Sequence, residues 1–413
     1  MKNEIIVLLA IICCLASCSS LFKGDENQPE RKKELARALT DHEKQLVSSG
    51  NSFSFDLFRK VAAGEKDKNM FISPLSISMA LGMTLNGAEG TTRTGIKETL
   101  GMSEMELQAI NQSYQSLIPL LLEADPKVKM RIGNSLWGHE GFDIRQSFKD
   151  TLKTYFDARV ESLNFSDPGA SDVINDWVQA QTNGRIEQII EDIPDEMVLY
   201  LINTIYFKGD WLYQFDAEET RPQDFRLDDG STVQVDMMNK KIPVATYRSE
   251  KVAMADLAYG DSLFTMTILM PGDSQTPIDR FVQESLTASN VSEWIAQLNP
   301  GEMMVNLPKF ESDYKKKLNE VLASMGMEEA FSDTKADFSN INPETQLFIS
   351  EVMHKANITV DEKGSEAAAA TSVGIGVTSV GRQFRVNRPF VYLIREQTTG
   401  TILFMGVMKD PSQ

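Results

Sequence analysis

Asp361-Glu-Lys-Gly-Ser-Glu-Ala-Ala-Ala-Ala-Thr-Ser-Val-Gly-Ile-Gly-Val-Thr-Ser-Val380 decides how the rest of this chain is read, because it joins a charged, hinge-like start to residues too small to resist being moved. Ser365, Ala367, Ala369, Thr371, Val373, Ile375 and Val377 are uncharged and grow more apolar along the segment, whereas Gly374 and Gly376 leave the other face almost bare. That is a period of two with one face fit for burial, the pattern of a strand. Composition alone also fits an Ala/Gly/Ser linker, and Ala367 to Ala370 also suit the start of a helix.

The stretch resembles the reactive-centre loop of the serpins, whose inhibitory members carry a Glu-x-Gly-(Ser/Thr)-Glu-Ala-Ala-Ala-Ala-Thr hinge. Glu362 to Thr371 matches it at every fixed position. The likeness continues in Phe348-Ile-Ser-Glu-Val-Met-His354, Lys355-Ala-Asn-Ile-Thr-Val360, Asn387-Arg-Pro-Phe390 and Leu403-Phe-Met-Gly406. Upstream, Phe71-Ile-Ser-Pro-Leu-Ser-Ile77, Asn203-Thr-Ile-Tyr-Phe-Lys-Gly-Asp-Trp211 and Leu307-Pro-Lys-Phe310 are also similar to serpin signatures. The resemblance spans residues 41–410 and implies an α+β serpin fold: helices plus a large central β-sheet that can accept the loop, residues 362–386, as an extra strand.

Outside that stretch, composition is restrictive. The 59 acidic and 41 basic residues give a formal charge of −18, which disfavours nucleic acid as a partner. Lys315-Lys-Lys317 is a short basic run beside acids and reads as a solvated face. All three cysteines lie in the first 18 residues, at the end of an apolar run beginning at Ile5, so the mature fold is expected to hold no disulfide. The run is too short for a comfortable membrane span and suits a signal peptide. Leu15-Ala-Ser-Cys18 resembles a bacterial lipobox, which implies cleavage before Cys18 and lipidation of its thiol. An ordinary signal peptide cut near Ser19 or Ser20 is the alternative. The division is then a lipoprotein signal peptide (1–17), a lipidated Cys18 with a polar tether (18–39) and one folded domain (40–413). It places the protein on the bacterial envelope, at the outer membrane or cell surface.

Thr40-Asp-His-Glu43 has capping-box spacing and opens the domain. Helices are expected over 51–62 and 76–85, and strands over 199–207, 262–270, 303–307, 347–352, 390–395 and 401–407. Helices dominate the first half and strands the second, which argues for α+β and against alternating βαβ units.

No enzyme is expected. The three histidines, His42, His139 and His354, form no metal-ligand pair, and no cysteine follows Cys18 to bind zinc. A GxSxG elbow, a P-loop and a dinucleotide fingerprint are absent from the sequence, and no cofactor or metal is implied.

The resemblance instead implies a suicide substrate: a target serine or cysteine protease acylates itself on the loop, and the freed hinge enters the sheet before water releases the enzyme. The hinge is Glu362, Gly364, Ser365, Glu366, Ala367, Ala368, Ala369, Ala370 and Thr371, and the segment 365–378 is expected to sit outside the sheet until cleavage. Family spacing puts the reactive bond at Thr378–Ser379, give or take one residue. Residues 373–381 contain no Lys, Arg, aromatic or Asp residue, so elastase-like targets are favoured. The resemblance also brings Ser73, Ser76, Asn203 and His354 together where the sheet opens, and Trp211, Lys309 and Glu362 at its upper end. A monomer in covalent complex with its protease is expected. A non-inhibitory serpin acting as a binding module is the alternative reading.

Overall fold

The computed structural model describes residues 34–365 and 382–413. Thr40 opens α1 (Asp41–Ala63) with the reciprocal cap its spacing implies, the hydroxyl accepting from Glu43 N and the Glu43 carboxylate accepting from Thr40 N. β1 (Met70–Ile72) leads into α2 (Pro74–Gly87), which Ser73 caps and Pro74 starts, as suits a residue with no N–H to satisfy. α3 (Gly90–Thr99), α4 (Leu107–Leu122), β2 (Val128–His139), α5 (Gln146–Phe156), β3 (Arg159–Leu163), α6 (Ala170–Gln181) and β4 (Leu199–Asp210) follow. The chain then turns to strands: β5 (Arg221–Arg226), β6 (Thr232–Arg248), β7 (Val252–Tyr259) and β8 (Phe264–Pro271). Short helices α7 (Ile278–Ser285) and α8 (Ala288–Ala296) precede β9 (Asn299–Pro308), β10 (Phe310–Lys317) and the single turn α9 (Asn319–Leu322). β11 (Met353–Val360), β12 (Gly364–Ser365), β13 (Gln383–Arg385), β14 (Phe390–Glu396) and β15 (Ile402–Met408) complete the order.

Two sheets result. The central one runs β10-β11-β12-β4-β2-β3, and the other runs β1-β15-β14-β8-β7-β6-β9-β13 with β5 also paired to β6. The main core lies between the sheets and under α1 and α2. Side chains alternate across a strand, so Leu136 points into that core while Trp137 joins Trp177, Ile174 and Ile202 in a second cluster beneath α6. The second face is covered there, whereas along β10 buried and exposed residues alternate, so that strand is buried on one face only.

The run 347–352 is not a strand. Its backbone groups are met elsewhere: Asn319 donates to Ser350 O and accepts from Val352 N, and Ile349 N donates to Ala330 O. Pairing begins one residue later, where Met353 meets Lys317 at the end of β10. The lysine run on β10 is spoken for, with Lys315 on Glu191, Lys316 on Glu65 and Lys317 on Glu351. Among the described residues no helix is long and apolar enough to cross a membrane, and no group of His, Cys, Asp and Glu is arranged to hold a metal ion.

Candidate functional site

The seam of the central sheet lies between β4 and β11. Gly364 and Ser365 occupy its upper end, Ser365 paired with Val360 on one side and Gly209 on the other, and Gly364 paired with Asp210. β12 is antiparallel to both neighbours, and among the described residues no ladder joins β4 directly to β11. A residue following Ser365 in the same register would enter between them. Ser365 was expected outside the sheet; it is inside, with 1% of its surface exposed.

The upper end is held by the three residues the resemblance brought together, and by two it did not. Lys309 Nζ is 3.1 Å from Glu362 Oε2. Thr220 donates its hydroxyl to the other carboxylate oxygen, at 2.8 Å. Partial burial pushes the Glu362 carboxyl upward, but its own N–H, the Thr220 hydroxyl and the Lys309 ammonium outweigh that and hold it below its ordinary value. Trp211 Nε1 donates to Asp361 O at 2.8 Å, Trp211 N to Lys363 O at 2.6 Å and Phe215 N to Glu362 O at 2.8 Å. The indole stacks on Tyr259, ring centroids 4.5 Å apart, and the Tyr259 hydroxyl meets Ser365 Oγ at 2.6 Å.

Lower down, the four polar residues gather on the first turn of α2 as two pairs. His354 of β11 accepts from Ser73 N at Nε2, 3.1 Å, which requires the neutral ring with its proton on Nδ1. Burial lowers its pKa to about 4, so the ring is neutral at neutral pH. Asn203 of β4 accepts from the Ser76 hydroxyl and donates to Asn134 Oδ1 at 2.6 Å, and Asn134 donates in turn to Phe156 O. Ser73 Oγ accepts from Ser76 N and donates to Leu403 O. Among the described residues no hydrogen bond links His354 to Asn203. The network thus divides along the same line as the sheet, each half docked on α2.

Glu366, Ala367, Ala368, Ala369, Ala370 and Thr371 of the hinge, the bond Thr378–Ser379 and Cys18 lie outside the described residues. Sequence reasoning missed Thr220, Asn134 and Tyr259. No local pattern marks them, since their partners at the site are distant in the chain.

The chain matches the family model described as Serpin (serine protease inhibitor) over residues 48–411. It is similar to Serpin A3-3 of Bos taurus, 33% identical over 374 residues that cover 89% of this chain and 90% of that one. It is equally similar to the leukocyte elastase inhibitor of Xenopus tropicalis, 33% identical over 381 residues, 89% of this chain and 99% of that protein. Among solved structures, human thyroxine-binding globulin aligns with a TM-score of 0.82 at 30% identity, covering 90% of this chain and 100% of that one. The thermophilic serpin tengpin in its native state aligns at 0.81 and 29%, covering 91% and 95%.

Proposed function

The chain belongs to the serpin family and has its fold, and from that premise we propose that it traps serine-type, and also cysteine-type, endopeptidases as a suicide substrate cut at Thr378–Ser379. The observation that carries this reading is β12: Gly364 and Ser365, just before the loop, already pair with β11 and β4, and among the described residues no ladder joins those two strands directly.

The chemistry follows from a substrate-like start. The protease nucleophile adds to the Thr378 carbonyl carbon, and the bond to the Ser379 nitrogen breaks. That nitrogen takes a proton and becomes a new amino terminus, while Thr378 stays bound to the protease as an ester or thioester. Ser365 to Thr378 is fourteen residues, about 46 Å of strand at roughly 3.3 Å per residue, enough to carry the protease across the domain. About ten new ladder bonds at roughly 0.5–1.5 kcal/mol each supply on the order of 10 kcal/mol, comparable to a whole domain's stability. Distortion of the protease then has to outrun hydrolysis of the ester, which is why small residues at 365, 367 and 369 matter.

The loop composition favours elastase-like targets, and a curated relative carries the name leukocyte elastase inhibitor. Arg382 offers a trypsin-like site four residues further on, where the longer link to the domain leaves the protease uncompressed and only nicking results. Thyroxine-binding globulin names a binding role on the same fold, but Ala367 to Thr371 includes no bulky, charged or proline residue that would bar this part of the hinge from a sheet. Incubation with pancreatic or neutrophil elastase should give an SDS-stable adduct; nicked protein beside fully active protease would end the inhibitory reading.

The same proposal places the inhibitor on the bacterial envelope through a lipidated Cys18, supported by the apolar run and Leu15-Ala-Ser-Cys18. Several acyl chains, at about 0.8 kcal/mol per buried CH2, anchor firmly. Cys18→Ser should move the protein from the detergent phase to the aqueous phase in a cloud-point partition, and equal partition of both forms would remove the anchor.

A further inference from the structure

Tyr259 ends β7, in the sheet that does not receive the loop, yet its hydroxyl touches the first buried residue of the hinge, 2.6 Å from Ser365 Oγ. Tyr259 is 0% exposed and Ser365 1%. Among the described residues no other hydrogen bond reaches either hydroxyl, so each satisfies the other. The phenol is set in place before it meets Ser365. It stacks on Trp211 at an interplanar angle of 9° and meets Phe207 edge-on with centroids 5.3 Å apart. It also lies against Gly209, where an added Cβ would come within 2.9 Å of the ring. Gly209 is the β4 residue that pairs with Ser365.

We infer that Tyr259 is a positioning residue that holds Ser365 in the seam of the uncleaved protein, so that the inserting strand starts from contacts already made. Withdrawal of Ser365 would leave the Tyr259 hydroxyl buried without a partner, which biases the hinge toward its docked position. The ordering of the first strand residues, the part of insertion with least return in ladder bonds, is thereby met in advance. The consequence for trapping rests on the inhibitory reading above, whereas the docking concerns the intact molecule alone.

Hydrogen–deuterium exchange of the Gly364 and Ser365 amides in the full chain tests it. Tyr259→Phe keeps the ring and its stack on Trp211 and removes only the hydroxyl; it should speed exchange about tenfold, equivalent to ~1.4 kcal/mol. Ser365→Ala should do the same, the double variant should add nothing more, and Ser365→Thr should stay near the parent. Unchanged exchange in Tyr259→Phe, or effects that add, would overturn the inference. With elastase, Tyr259→Phe should yield several-fold more nicked protein per adduct than the parent. Equal yields would confine Tyr259 to a structural role, whereas failure of the parent to form any adduct would sink the inhibitory reading and leave exchange to decide this one.

Discussion

Lys309 Nζ and Glu362 Oε2 stand 3.1 Å apart, tying the link between β9 and β10 to the residue two before the hinge strand. The lysine side chain is 38% exposed and the glutamate 13%, so the two partners are not equivalent. Glu362 also accepts from Thr220, and its carboxylate has more to lose.

Glu362→Gln should therefore lower unfolding stability by about 1–2 kcal/mol, since hydrogen bonds to a charged group are weakened on two sides. Lys309→Met should cost less, about 0–1 kcal/mol, because an exposed ammonium is well served by water. Urea unfolding at pH 7 ranks the two, and a larger loss from Lys309→Met would contradict the assignment.

Ser365→Arg places a guanidinium where the native side chain is 1% exposed and meets a buried phenol. Taking an unpaired charge into such a site costs several kcal/mol. Cleavage by elastase should proceed while the fraction trapped falls at least about tenfold, read as the ratio of adduct to nicked chain on a denaturing gel. An undiminished adduct would show that trapping does not need Ser365 buried in the seam.

Acid should loosen the lower network through His354. Its pKa is about 4 in the folded protein against an ordinary 6.5, so between those values the folded chain binds fewer protons than the unfolded one. The contribution is whole above pH 6.5 and is lost as pH falls toward 4, on the order of 3 kcal/mol at ~1.4 kcal/mol per unit. The Glu43 carboxyl, held at about 2 by the Arg37 guanidinium, acts only below its ordinary 4.5. Urea midpoints between pH 7 and 4.5 should fall in the parent and stay flatter in His354→Gln; parallel curves would exclude His354 as the source.

Nicking the loop should raise the melting temperature sharply, because on the order of 10 kcal/mol of new ladder bonding becomes available once residues 366–378 are free to follow Ser365 into the sheet. Calorimetry before and after limited elastase digestion gives the comparison. An unchanged melting temperature would mean that the cut segment stays out of the sheet.

Local features were legible because neighbours in the chain are neighbours in space. Thr40 and Glu43 are three residues apart and cap each other as read. The helices over 51–62 and 76–85 lie inside α1 and α2, and the run at 199–207 lies inside β4. The error at 347–352 has the opposite cause. Its apolar, β-prone residues look like a strand, but a strand needs a ladder partner, and β10 ends at Lys317, opposite Met353. Asn319 takes up the backbone that remained, which no propensity records.

By itself the sequence carried a period of two built from small side chains over 365–377 and marked a capped helix start at Thr40. These are properties of composition and short spacing. Only the tertiary structure decided that Ser365 already lies in the seam, that Tyr259 meets it across 106 residues of chain, and that His354 and Asn203 dock separately on α2. Such contacts depend on the order of strands in a sheet and on which buried polar group is left needing a partner, and both are set by packing between segments far apart in the chain.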